Sequence, residues 1–420
     1  MSAVIEPVDS HAAASSTFGA SARILRAQLL RRLAPLAHGR IVLRDALGVV
    51  ELGAMGNAGD MDVHVDVASP SFYFAVAANG SVGAGEAYIE GAWRADDLVG
   101  LVRLLVRNRD LLDGLESGLS RLGGIAMRLW HAARANTRGG SRRNIAAHYD
   151  LGNAFFSTFL SPDLMYSSAL WDGDDDTLEA ASTRKLDAIC DKLDLRSGDH
   201  VVEIGTGWGG FAIHAAQTRG CRVTTTTISR EQHTLATRRV ADAGLADRID
   251  VRLDDYRDLG GRYDKLVSIE MIEAVGADFV DTYFRTVGTL LKPGGRALIQ
   301  AITIEDHRYA QAVNSVDFIK RYVFPGSFIP SIAAMLAAKA RATDLALVRL
   351  DDFGASYART LAAWRERFHA RLADVRALGF DDRFVRLWDF YLAYCEGGFR
   401  ERSIGVAHLV FDKPGADVAR

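Results

Sequence analysis

Cysteine is scarce in this chain. Cys190, Cys221 and Cys395 are the only three in 420 residues, odd in number and far apart. They supply neither a disulfide framework nor a zinc site, and a reducing cytosol is the expected compartment. An excess of positive charge is also missing, since 50 Lys and Arg face 53 Asp and Glu for a net charge of −3. That balance gives no global field to attract nucleic acid. No uncharged apolar run approaches the ~18 residues needed to span a bilayer. The amino terminus carries Glu6 and Asp9 and no apolar stretch before its first arginine, unlike a secretion signal. Internal repeats and long low-complexity tracts are absent as well. What remains, 49% hydrophobic and 25% charged, is ordinary for a globular protein with a sizeable core. The length points to one large catalytic domain and a smaller one.

The small, polar residues 1–20 are expected to be disordered. Residues 21–116 combine a basic helix ("SARILRAQLLRRL"), the alternating "MDVHVDV" and an apolar helix around "LVGLVRLLV", which predicts a small α+β domain. The segment 117–144 has six arginines and no acid and ends near Gly139-Gly140, a natural hinge. It reads either as a solvated linker or as a contact for anionic lipid headgroups. From 145 onward five β-rich runs alternate with helical windows: "HVVEIG", "RVTTTTI", "RIDVRL", "KLVSIE" and "ALIQAITI". This pattern predicts an α/β fold, a parallel sheet with helices on both faces and its ligand at the carboxyl ends of the strands.

At the first of these strand ends lies "VVEIGTGWGG", residues 201–210. Gly205, Gly207 and Gly210 satisfy G-x-G-x-x-G, a weak dinucleotide signal when it stands alone. Glu203 just before the turn suits a cationic ligand better than a pyrophosphate. The second strand lacks the acid expected near a dinucleotide ribose. The turn "LLKPGG" feeds a further strand, as in class I methyltransferases. S-adenosylmethionine, an adenosine with a positive sulfur, fits better than NAD.

Seven further segments occur in one order. They are "NIAAHYDLGNAFFSTFLSPDLMYSSALW" (144–171), "ISREQ" (228–232), "SIEMIEAVG" (268–276), "LLKPGGRALIQAITI" (290–304), "DFIKRYVFPGSFIPS" (317–331), "FGASYARTLAAWRERF" (353–368) and "LAYCEGGFRERSIGVAHLV" (392–410). Together they resemble the cyclopropane-fatty-acyl-phospholipid synthase family, relatives of the mycolic acid cyclopropane synthases. The likeness is strong over 145–415 and weaker through "GEAYIEGAWRADDL" (85–98). It implies a class I methyltransferase domain at 145–415 with an acyl-binding insertion near 305–350, preceded by a lipid- or partner-associated domain. It also implies methyl transfer from S-adenosylmethionine to the double bond of an unsaturated phospholipid chain, closed to a cyclopropane by loss of a proton.

The resemblance assigns Gly205 and Gly207 to the cofactor, with Glu203 beside them; plain turn glycines are the bland alternative. Tyr166 and Ser167 of "MYSS" match the pair covering the methionine end, where an aromatic face beside a sulfonium gains about 0.5–2 kcal/mol. Thr227 and Gln232 match ribose and methionine contacts, although Gln232 also completes a capping box with Ser229. Asp255 and Tyr256 follow the third strand, where adenine is usually held. Glu273, among apolar neighbours, is the expected catalytic carboxylate. In related enzymes its position helps hold a bicarbonate that takes the proton, together with a tyrosine matched by Tyr357. Glu270 is either its partner or solvent-facing. Ser168 replaces the commoner cysteine and Gln300 the commoner histidine, which weakens the expectation of bicarbonate because glutamine cannot relay a proton. Asp150 and Asn153, after His148 and Tyr149, read as turn and cap residues. The aromatic "DFIKRYVFPGSFIPS" reads as a wall of the acyl slot, with Lys320 and Arg321 placed to meet phosphate.

The expected partners are an anionic membrane surface reached peripherally from the cytoplasm, unsaturated acyl chains and a second copy of the chain. A reductase is added if the product is methyl-branched. The alternatives left open are a methylene, methyl-branched or furan-precursor product, a small unsaturated metabolite as substrate, and a non-catalytic lipid-binding protein.

Overall fold

The computed structural model describes residues 18–113, 140, 151–174 and 176–415. The first 17 residues, almost all of the basic 117–144 segment, and His148, Tyr149 and Asp150 lie outside the described residues.

A four-stranded sheet opens the chain, built from β1 (Gly39–Asp45), β2 (Gly48–Ala54), β3 (Met61–Val67) and β4 (Trp93–Ala95) in the order β2-β1-β3-β4. The alternation of "MDVHVDV" sends Val63, Val65 and Val67 inward while Asp62 and His64 face solvent, as the two-residue period of a strand requires. The helices Ala20–Leu33, Ser71–Ile89 and Leu98–Arg107 accompany this sheet. The last begins at Asp97, whose carboxylate accepts from the Gly100 amide and so satisfies one of the free amides at the helix start.

The second sheet holds β5 (His200–Ile204), β6 (Arg222–Thr226), β7 (Ile249–Arg252), β8 (Tyr263–Ile269), β9 (Leu291–Ile304), β10 (Ala346–Asp352) and β11 (Ile404–Asp412). Its order is β10-β11-β9-β8-β5-β6-β7. The five strands expected from sequence are parallel, whereas β11 runs antiparallel to both β9 and β10. From β5 the chain winds outward to β6 and β7, then returns to β8 on the other side. The tip of β5 is therefore the switch point where α/β sheets bind ligands. The helix Ile332–Ala342 packs on Val280–Leu290, and β10 borders the sheet. Residues 332–352 thus belong to the sheet layers, and the part of the 305–350 segment that faces the cavity described below is 308–329.

Helices Gly354–Ala370 and Asp382–Arg400 pack on each other, and the second also packs on Leu98–Arg107 and Ser71–Ile89. At that crossing a Cβ on Gly397 would lie 2.5 Å from Val102, so only glycine permits the approach. Phe155, Phe156 and Phe159 are fully buried around Trp388, each such ring contributing about 1.5–3 kcal/mol. Arg103 and Arg107 both pair with Glu401 at 2.7 Å. Among the described residues no helix is long and apolar enough to cross a membrane.

Candidate active site

One cavity of about 650 Å³ opens at the tip of β5. Its glycine turn has Gly205 at φ +99°, Gly207 at +52° and Gly209 at +84°, conformations that L side chains rarely adopt. A Cβ on Gly207 would meet nothing within 4 Å, so this backbone lies bare toward the cavity. Gly210 answers a different need, because a Cβ there would sit 2.6 Å from Met165. A ligand can therefore lie against the main chain at 205–207, and the turn fits an adenosyl group.

Glu203 at the end of β5 is buried and borders the same cavity. Thr225 donates to it at 2.6 Å and in turn accepts from Thr206 at 2.7 Å. Burial still pushes its carboxyl up to about 8, against the pull of the Thr225 hydroxyl and Lys185. Thr227 and Gln232 both border the cavity and bond each other at 2.7 Å, the threonine donating. Ser229 caps the helix Arg230–Asp242 by accepting from the Gln232 amide, but the Gln232 side chain turns to Thr227, so only half of the expected capping box forms. Asp255 and Tyr256 border the cavity too. The Asp255 carboxylate, however, pairs with Arg257 at 2.6 Å.

Tyr166 presents its ring beside Trp364 and Phe156, and its hydroxyl lies 2.9 Å from that of Tyr391. Ser167 accepts from Lys185, a fully buried ammonium on the helix Leu178–Leu193, at 2.9 Å. Lys185 was not singled out from sequence. Burial drops it to about 8, while Asp163, Glu270 and Glu203 hold it up.

The two glutamates after β8 sit in different surroundings. Glu270, held at φ +48°, is half-buried in the cavity wall and accepts from the Ser168 amide at 2.9 Å, Gln300 Nε2 at 2.7 Å and the Tyr357 hydroxyl at 2.7 Å. Burial raises its carboxyl, and these three donors oppose the rise. Ser168 acts through its amide, since its hydroxyl donates to the Ala169 carbonyl. Tyr357 borders the cavity; Ser168 and Gln300 stand behind Glu270. Gln300 is itself oriented: Lys192 donates to His408 Nδ1 at 2.7 Å, which leaves Nε2 to donate to Gln300 Oε1 at 2.9 Å. Burial keeps His408 neutral.

Glu273 takes the amide of Ile302 on one oxygen at 2.6 Å; its other oxygen is buried without a hydrogen-bond partner among the described residues. Burial and then the charge of Glu270 push it up to about 8. The residues present do not fit a bicarbonate held by Ser168, Gln300 and Tyr357, because all three already bind Glu270. The assignment of Lys320 to phosphate is also corrected, since its ammonium is buried and donates to the carbonyls of Ala312 and Ser315 at 2.6 and 2.9 Å.

A parallel sheet with an antiparallel edge and a bare glycine turn at the first strand tip defines a class I methyltransferase using S-adenosylmethionine. The sequence model of the family described as mycolic acid cyclopropane synthetase matches residues 137–409, and the chain belongs to that family. It is 37% identical over 399 residues to tuberculostearic acid methyltransferase UfaA1 of Mycobacterium tuberculosis, spanning 92% of this chain and 91% of that one. It is 36% identical over 357 residues to cyclopropane-fatty-acyl-phospholipid synthase of Escherichia coli, spanning 84% and 89%. The solved mycolic acid cyclopropane synthase CmaA1, in complex with SAH and CTAB, superposes with a TM-score of 0.60 at 28% identity, covering 65% of this chain and 98% of that one. The protein is an S-adenosylmethionine-dependent methyltransferase.

Proposed function

We propose that the protein methylates the double bond of unsaturated acyl chains in membrane phospholipids and closes a cyclopropane ring, working from the cytoplasmic side of the membrane surface. The observation that carries this reading is an ionisable carboxylate, Glu270, built into the wall of a largely apolar cavity beside the cofactor turn. S-adenosylmethionine supplies an electrophilic methyl group on a sulfonium. The alkene forms the new C–C bond as the C–S bond breaks, which leaves a cation on the chain. Glu270 takes a proton from the new methyl group, and those electrons close the ring. The Tyr166 face and the carboxylates of Glu203 and Glu270 offset the passing positive charge.

A second reading has a specific observation behind it. The relative aligned over 92% of this chain is named a methyltransferase rather than a cyclopropane synthase. If a hydride shifts along the chain before the proton leaves, the same carboxylate yields a methylene branch. A reductase would then be the partner that completes a methyl branch. Incubation with S-adenosylmethionine and vesicles of an oleoyl phosphatidylglycerol tests both readings by proton NMR and mass spectrometry. Cyclopropane protons with a mass gain of one CH2 are expected. Vinylidene protons would replace the first reading with the second, and an unchanged lipid would remove both.

Cofactor binding should also be linked to protons through Glu203. Its carboxyl, at about 8 before binding, is mostly protonated at neutral pH, and a cationic ligand favours the ionised form. Binding therefore expels a proton. Affinity is expected to rise with pH by up to about tenfold per unit and to level off above about 8. Calorimetry in two buffers of different ionisation enthalpy reads the proton release, and Glu203→Gln should flatten the profile. A pH-independent affinity in the unaltered protein would refute this role.

A further inference from the structure

The cavity does not stop at the methyltransferase sheet. It continues into the N-terminal domain, where Leu29, Ile41, Val65, Phe72, Val76 and Leu101 border it. Between residues 29 and 106 the bordering side chains are apolar except for Ser81 and the indole N–H of Trp93, and that N–H is spent on the Ala84 carbonyl at 2.8 Å. Beyond residue 106 the lining also includes charged and polar groups, among them Arg109, which pairs with Glu305 at 2.9 Å, Arg308, Gln311 and Asp317.

The helix Ser71–Ile89 is broken where it meets this space. Gly80, at φ +57° and ψ −130°, kinks it beside the cavity, and Ser81 and Ala84 present small side chains to the lining. Protein interiors are otherwise packed to crystal-like density, and an unfilled apolar void destabilises the fold. A compartment kept open in this way calls for an apolar occupant.

Helix Asp382–Arg400 joins the two compartments. Phe390 packs against Tyr88 of the N-terminal domain at 5.3 Å and against Phe318 at 4.6 Å, while the next residue, Tyr391, reaches Tyr166 at the cofactor end. The family match begins at residue 137, after this compartment. The N-terminal domain therefore adds wall that the matched catalytic part does not contain.

We propose that the interior of the N-terminal domain is the far end of the acyl slot. It receives the methyl-terminal segment of the chain whose double bond lies at the methyl donor, and its depth limits how many carbons fit beyond that bond. This rests on the acyl-chain reading above. A hydrocarbon terminus suits a compartment without charged groups, whereas the ester and headgroup suit the polar border near Arg109 and Arg308.

Ala84→Phe and Val76→Phe, each placing a ring in the compartment, provide the test, with three phosphatidylglycerol substrates. One carries an oleoyl chain. The second carries palmitoleoyl, shorter by two carbons on the methyl side of the same double bond. The third carries vaccenoyl, as long as oleoyl but with the double bond two carbons nearer the methyl end. Both variants are expected to lose oleoyl turnover by about tenfold or more relative to the other two substrates, the scale at which a pocket discriminates by a methylene or two. Thermal melting and S-adenosylmethionine affinity, measured alongside, are expected to stay near those of the unaltered protein. Equal loss on all three substrates, or oleoyl and vaccenoyl falling together, would overturn this inference while leaving the proposed function standing. Failure of the unaltered protein to methylate any of them would overturn both.

Discussion

Replacing Glu270 with glutamine is expected to leave S-adenosylmethionine binding nearly intact and to lower kcat by about 10²–10⁴-fold, the usual contribution of a positioned general base. Glu273→Gln is expected to retain activity within about tenfold. The contrast follows from the protonation states. Glu273 has one buried oxygen without a hydrogen-bond partner among the described residues and a carboxyl pushed up to about 8. At neutral pH it is mostly the neutral acid, which glutamine imitates well. Glu270 carries three hydrogen bonds that favour its ionised form. Two neighbouring carboxyls pushed apart in this way divide the roles between them: one ionises, the other stays protonated.

The pH profile gives the sign. A base must be unprotonated, and burial raises Glu270 above the ordinary carboxylate range. Activity should therefore fall as pH drops through that raised value, earlier than an exposed glutamate would allow. The residual activity of Glu270→Gln should lack this acid limb. Single-turnover kinetics of both variants across pH measure it. A glutamine at 270 that turns over like the native residue, or an inactive Glu273→Gln beside it, would reverse the assignment.

The choice between these glutamates shows where sequence reasoning ends. Both stand in one short turn, and their spacing says nothing of which one meets Tyr357. That depends on the left-handed backbone at Glu270, uncommon for a residue other than glycine. The glycines at 205–207 were legible because a positive φ and a bare backbone leave few other residue types possible. The central parallel strands were legible because burial on both faces writes a near-continuous apolar run, as in β5 and the middle of β9. By contrast, β10 is an edge strand of mostly exposed residues, and β11 takes its place by pairing with β10 and with a distant β9. His408 acquires its role through that same pairing, which sets it opposite Gln300. The N-terminal compartment was hidden for another reason, since apolar residues facing a void read the same as apolar residues facing a core.

Lys185→Met is expected to shift the acid limb of kcat upward, because the buried ammonium favours the ionised form of Glu270. The loss of activity this causes is expected to be recovered as the pH is raised. Lys185 is fully buried, donates to Ser167 at 2.9 Å and is coupled to Asp163, Glu270 and Glu203. With its ammonium at about 8 it is mostly charged at neutral pH, where it favours ionised Glu270 and Glu203. Removing that charge leaves their ionised forms more costly, so each must wait for a higher pH. Above about 8 the native lysine itself loses its proton, and the two proteins should converge. A purely structural lysine would give a loss that pH does not repair, because packing around Ser167 does not titrate. The pH dependence of single-turnover rates for the native and Lys185→Met enzymes separates the two roles, with parallel profiles counting against the electrostatic one.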